Sequence, residues 1–151
     1  MERLEALFPR LCGTAYRITS PASDVYNCIA WAAGDTARWW WPGDPTRTYW
    51  PDGVPRLETL AAFRDAFATL DYDACEQADP ETGFEKIALF ADAEGRPTHA
   101  ARQLSDGTWT SKLGLSEDIQ HGLADLVGDV YGSVVLILKR VAPPSVLETK
   151  V

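Results

Sequence analysis

From Tyr72 onward the sequence breaks into five short runs, 72–76, 85–91, 98–104, 108–112 and 131–141, punctuated by Pro80, Gly83, Gly95, Pro97, Gly107 and Gly114. Apolar or alternating runs of this length between turn residues predict strands, and the breakers fall too close together for long helices. The first half has the other periodicity. Leu57, Leu60, Phe63, Phe67 and Leu70 recur at three- and four-residue spacing, with Glu58, Arg64 and Asp65 off the stripe, which predicts an amphipathic helix. A short helix is expected over 2–8, stopped by Pro9, and another over Val25 to Ala33, capped by Asp24 and ended by Gly34. Tyr16 to Thr19 reads as extended, and Ser116 followed by Glu117 and Asp118 predicts a helix to about Val127 between the fourth and fifth strands. Helices first and strands afterwards make the expected class α+β, and 151 residues make one domain.

Composition narrows the function. Fourteen basic against 22 acidic side chains leave a net charge of −8, a surface that repels phosphate backbones, so nucleic acid is an unfavoured partner. The longest apolar run, Val134 to Leu138, is strand length, and Met1-Glu2-Arg3-Leu4-Glu5 is unlike a secretory leader. A cytoplasmic protein without membrane attachment is expected. Three cysteines, Cys12, Cys28 and Cys75, without a CxxC spacing fit neither a disulfide framework nor a thiolate zinc site. No glycine-rich phosphate loop, GxSxG elbow or clustered metal ligands occur, so no cofactor or metal is expected.

A nucleophilic thiol needs a lowered pKa, a base and donors for the developing oxyanion. Cys28, near the start of a predicted helix, has the dipole and the free N–H groups of a first turn, and His99, at the start of a predicted strand, has small neighbours in Thr98-His99-Ala100-Ala101. His121 is expected on the exposed face of the 116–127 helix, outside the catalytic set, and Cys12 and Cys75 lack basic neighbours and read as structural. Asn27 reads as structural, and Trp31 as a core anchor on the Cys28 face of its helix. Between Gly34 and Pro55, four prolines accompany Trp39, Trp40, Trp41, Tyr49 and Trp50, a loop whose rings must pack on something, as a lid on the core, as a wall for substrate, or both.

Tyr26-Asn27-Cys28-Ile29-Ala30-Trp31, Thr98-His99-Ala100-Ala101 and Trp109-Thr110-Ser111-Lys112-Leu113-Gly114, followed by His121, together resemble the papain-like cysteine hydrolases of the bacterial CHAP and NlpC type. The resemblance implies a papain-like domain, with N-terminal helices, one bearing Cys28, packed on an antiparallel sheet of about five strands. It also implies amide-bond chemistry, with Cys28 as nucleophile and His99 as base. Twelve residues beyond His99, where an orienting residue is expected, stands Ser111.

Whether Ser111 meets His99 depends on the turn between their strands. A two-residue turn at Asp106-Gly107 pairs Leu104 with Trp109 and puts Thr110 and Lys112 on the face of His99, whereas a three-residue loop, Ser105-Asp106-Gly107, pairs Ala101 with Ser111 and puts Ser111 there. The three-residue loop is the expectation, because a lysine beside the base would disfavour its imidazolium.

The function expected is hydrolysis of an amide or isopeptide bond in a peptide or protein substrate, with Cys28, His99 and Ser111 as the site. An acidic surface suits a basic substrate. The alternatives are a non-catalytic acidic interaction or immunity-type module that binds a basic partner through the tryptophan-rich loop, and acyl transfer to an amine.

Overall fold

A computed structural model describes residues 2–142. Within them, seven strands form one antiparallel sheet: β1 (Arg17–Ser20), β2 (Asp73–Cys75), β3 (Phe84–Ala91), β4 (Pro97–Gln103), β5 (Trp109–Lys112), β6 (Asp118–His121) and β7 (Ser133–Val141), in the order β1-β6-β5-β4-β3-β7-β2. Three short helices accompany it, α1 (Glu2–Leu7), α2 (Cys28–Ala33) and α3 (Leu60–Ala68), with 3₁₀ turns at Pro9–Leu11 and Leu123–Leu126. Helices make up only about a fifth of the described residues. The papain-like arrangement of helices on about five strands is therefore corrected to a seven-stranded antiparallel sheet, with the helices as short covers.

The five predicted strands are β2, β3, β4, β5 and β7, and the two additions explain the difference. The segment read as merely extended before Ser20 is the edge strand β1, which pairs with β6. The helix expected from Ser116 does not form. Its cap-like residues lie instead in a tight turn, where Leu113 N–H donates to the Glu117 carbonyl and Ser116 N–H to the Leu113 carbonyl, and Gly114 takes φ 60°. Chain reversal there turns Asp118–His121 into β6, paired along its length with β5.

Alternation along the strands gives the sheet two buried faces. On one, Ile87, Leu89, Ala100 and Leu138 pack against Cys28, Ile29 and Ala32 of α2, Phe63 and Phe67 of α3, and Trp40 and Trp50. On the other, Ala88, Phe90, Ala101, Trp109, Ile119 and Ile137 pack against Leu4, Phe8, Leu11 and Leu126. Two covered faces explain why β3 reads as a nearly continuous apolar run after Lys86.

The loop between β4 and β5 has three residues. Leu104 N–H donates to the Thr108 carbonyl at 2.7 Å and Gly107 N–H to the Leu104 carbonyl at 3.0 Å, with Gly107 at φ 90°. The register Arg102↔Thr110 and Gln103↔Trp109 then sets Ser111 on the face of His99 and Ala101, with Thr110 and Lys112 on the other.

The entry to β7 is held by a glycine. Gly132 bridges Gly128 at φ 77°, and a Cβ there would lie 2.0 Å from the Ala91 carbonyl oxygen. Backbone cannot yield as a side chain can, so Gly132→Ala should lower the unfolding free energy by about 3 kcal/mol or more. A urea titration checks this, and an unchanged midpoint would contradict the close approach.

Candidate active site

Cys28 is the first residue of α2. The helix starts three residues later than its sequence suggests, because Asn27, not Asp24, is the N-cap. Its side-chain oxygen accepts from Ala30 N–H at 3.1 Å and Trp40 N–H at 3.0 Å, and its Nδ2 donates to the Trp40 carbonyl at 2.7 Å. One buried amide thus sets the start of α2 and fastens the tryptophan-rich loop to it, the structural role expected of Asn27. The far end is as expected, with Gly34 left-handed at φ 83°. Trp31 is half-buried, donating from Nε1 to Thr110 Oγ1 at 3.1 Å and stacking on Tyr26.

On the opposite face of the sheet, His99, Ser111 and His121 form one hydrogen-bonded chain. His99 Nε2 lies 2.9 Å from Ser111 Oγ, Ser111 Oγ lies 2.7 Å from His121 Nε2, and His121 Nδ1 lies 2.7 Å from the Gly122 carbonyl oxygen. All three residues are buried, and burial lowers both imidazole pKa values, that of His99 well below 6.5 with the neighbouring His121 adding to it. The Gly122 carbonyl and Asp125 only partly offset the effect at His121. Both rings are therefore neutral at neutral pH, and the direction of the chain follows. A carbonyl only accepts, so His121 carries its proton on Nδ1 and accepts at Nε2. Ser111 then donates to His121 and accepts from His99, which leaves His99 protonated on Nε2 with a bare lone pair on Nδ1. That nitrogen is buried and has no hydrogen-bond partner among the described residues.

Cys28 approaches from the other layer. Burial pushes its thiol up to about 11, while the backbone N–H groups of Ala100, Ile29 and Cys28 itself, with Lys112 at longer range, pull it down. Ala100 follows His99 directly, and β4 and β5 are paired only at Arg102–Thr110 and Gln103–Trp109. Beyond that point an Ala100 N–H that a continued ladder would give to β5 is available to the sulfur. No hydrogen bond joins Cys28 to His99 among the described residues, and the resting pair is a neutral thiol with a neutral imidazole. Lys112 is buried on the α2 face, its ammonium donating to the carbonyls of Ser23, at 2.8 Å, and Gly114.

Beside the sulfur lies a hollow of about 290 Å³ lined by Asn27, Cys28, Trp39, Trp41, Thr98, Gly114 and Tyr131. The tryptophan triplet divides by parity. Trp40 sits in an extended bridge with Tyr49 and turns into the core, 4% exposed with Nε1 donating to Asp35, while Trp39 and Trp41, one residue to either side, line the hollow, Trp41 also packing edge-on against Phe63 with ring centroids 5.2 Å apart. Lid and wall are therefore both realised, with Trp40 in the core, Trp39 on the hollow and Trp41 serving both. Tyr131 stacks flat on His99, ring centroids 4.0 Å apart and planes 9° apart, and Thr98 Oγ1 donates to its carbonyl at 2.5 Å. A larger hollow, about 490 Å³ between 80–85 and 103–105, holds neither cysteine nor histidine.

The structure thus brings His99 and Ser111 together and sets Cys28 against the residue next to His99. Sequence reasoning missed His121, placed on a helix that does not exist, and Tyr131, which only the fold brings over His99. Cys12 is exposed and Cys75 lies partly exposed on β2, and neither belongs to the site. Replacing Ser111 by alanine would strip a partner from two buried imidazole nitrogens, so Ser111→Ala should cost about 2 kcal/mol in a urea titration. A loss under about 0.5 kcal/mol, the size of an ordinary surface change, would show that the chain is not made.

Among the described residues no helix is long and apolar enough to cross a membrane. No curated protein and no solved structure matches the chain. Residues 17–139, which span all seven strands except the last two residues of β7, match the family described as a domain of unknown function (DUF7689), and the chain belongs to that family.

Proposed function

We propose that this chain is a cysteine-dependent hydrolase of an amide or isopeptide bond, with Cys28 as nucleophile and His99 as general base. The observation that carries this reading is the bare, unpartnered Nδ1 of a buried imidazole, in the residue next to the one whose N–H meets the Cys28 sulfur. A histidine buried only for packing satisfies its polar atoms. Here Ser111 and His121 spend their hydrogen bonds fixing the tautomer that leaves a lone pair free.

Because the thiol starts neutral, its proton moves during attack. As the sulfur bonds to the substrate carbonyl carbon, the thiol proton passes to His99 Nδ1 and the carbonyl electron pair moves onto oxygen, near the Cys28 N–H, which has no acceptor within the helix. Collapse breaks the C–N bond, and His99 returns the proton to the departing amine. Water, deprotonated by His99, then attacks the thioester, and the C–S bond breaks to restore the thiol. Capture of the same thioester by an amine would make the reaction a transfer. Ser111 and His121 act as positioning residues throughout. Three free thiols fit a reducing, cytoplasmic setting.

The non-catalytic interaction module has one observation in its favour, the 6% exposure and raised pKa of Cys28, which also describe a packed core cysteine. Alkylation separates the two readings. Iodoacetamide should label Cys28 in the folded protein at pH 7.5 at least about tenfold faster than in His99→Ala, within the range general-base assistance provides. The labelling rate should rise with pH toward the thiol's value of about 11. With a substrate in hand, the acid limb of hydrolysis should fall below pH 6.5, because burial keeps His99 neutral to lower pH. A Cys28 that resists until the protein unfolds, or reacts equally without His99, would remove the hydrolase.

A further inference from the structure

Building on Cys28 as the nucleophile, we propose that the hollow beside it selects acyl groups with an uncharged apolar side chain, aromatic or branched aliphatic, on the carbonyl side of the cleaved bond. Its walls are the rings of Trp39, Trp41 and Tyr131, and its about 290 Å³ suits one side chain better than a larger ligand. The N–H and O–H groups of its three rings aside, the polar side chains that line it are already committed. Asn27 holds Ala30 and Trp40 with both ends of its amide, Thr98 has given its hydroxyl proton to the Tyr131 carbonyl, and Gly114 has no side chain.

Charge decides among the side chains that rings can hold. Three aromatic faces also suit a cation, as in aromatic cages. Here no carboxylate lines the hollow, and the charge that acts on the sulfur is the cation of Lys112, so a lysine-like side chain would meet repulsion. A carboxylate would be drawn by Lys112, but that ammonium does not line the hollow and is already held by the Ser23 and Gly114 carbonyls, so the carboxylate would lose its water with no cation in contact to replace it. A neutral ring or branched chain loses only apolar contact with water and gains the three ring faces. Leu115 and Val130, chain neighbours of the lining residues Gly114 and Tyr131, are 66% and 44% exposed and extend the apolar character along the chain.

Two measurements test this and keep it separable from the catalytic reading. In Cys28→Ala, which cannot react, tryptophan fluorescence titrations compare 3-phenylpropanamide, 6-aminohexanamide and glutaric acid monoamide. The phenyl compound should bind at least about tenfold more tightly than either charged one, with the preference lost in Trp39→Ala. In the unmodified protein, the chloromethyl ketone of N-acetylphenylalanine should label Cys28 faster than that of N-acetyllysine, relative to iodoacetamide. Equal or tighter binding of the amino compound would make the hollow a cation cage, and binding of none would leave it without selectivity; either overturns the proposal. Selective phenyl binding beside an inert Cys28 would keep the pocket and remove the hydrolase, whereas a reactive Cys28 without preference would do the reverse.

Discussion

Strands β4 and β5 are hydrogen-bonded only at their turn-proximal ends, and the N-terminus of α2 stands against the length of β4 left unpaired on that side. The rest of the site depends on this separation. A sheet divides its two faces, and here Cys28 belongs to the layer on one face and His99 to the other. Where a ladder is complete, backbone keeps such side chains apart. Where it opens, the Ala100 N–H turns to the Cys28 sulfur, one residue along the chain from His99. Asn27 sets this in place, since one side chain caps α2 and fixes the loop that carries Trp39 and Trp41.

Directionality is the second constraint. Imidazole, hydroxyl, imidazole and carbonyl in sequence have one consistent proton arrangement when both rings are neutral, and burial keeps them neutral. The carbonyl of Gly122, at the end of β6, thereby determines which nitrogen of His99 is basic. Isolated buried polar groups are costly, and the chain satisfies His99 Nε2, the Ser111 hydroxyl and both nitrogens of His121, leaving His99 Nδ1 alone among them without a partner. The stacked Tyr131, its phenol held neutral by burial, covers His99 and shares the hollow with Cys28.

Much of this was legible in the residues. Glycine and proline spacing located five strands, the parity of the Ser105-Asp106-Gly107 loop placed Ser111 beside His99, and Gly34 ended α2 as its left-handed preference requires. The failures have physical causes. Ser116-Glu117-Asp118 carries the chemistry of a helix cap, yet the turn closed between Leu113 and Glu117 competes for the same backbone and prevails because β6 then pairs with both β1 and β5. That one misreading put His121 in solvent. Asp24 and Asn27 are both good caps, and only tertiary contact with Trp40 selects the second. That Trp40 faces the core while its neighbour Trp39 lines the hollow is a period-two effect, invisible until the segment is known to be extended. Likeness in a few short motifs also suggested N-terminal helices packed on about five strands, an arrangement that the seven-stranded sheet does not bear out.

The central claim is that a fixed proton order leaves His99 with a free lone pair on Nδ1, and long-range ¹H–¹⁵N correlation spectra of the two histidine side chains at neutral pH test it most directly. The account predicts His99 protonated on Nε2 and His121 protonated on Nδ1, each as a single neutral tautomer. A His99 protonated on Nδ1, or charged at neutral pH, would contradict it, because Nδ1 would then hold no free lone pair.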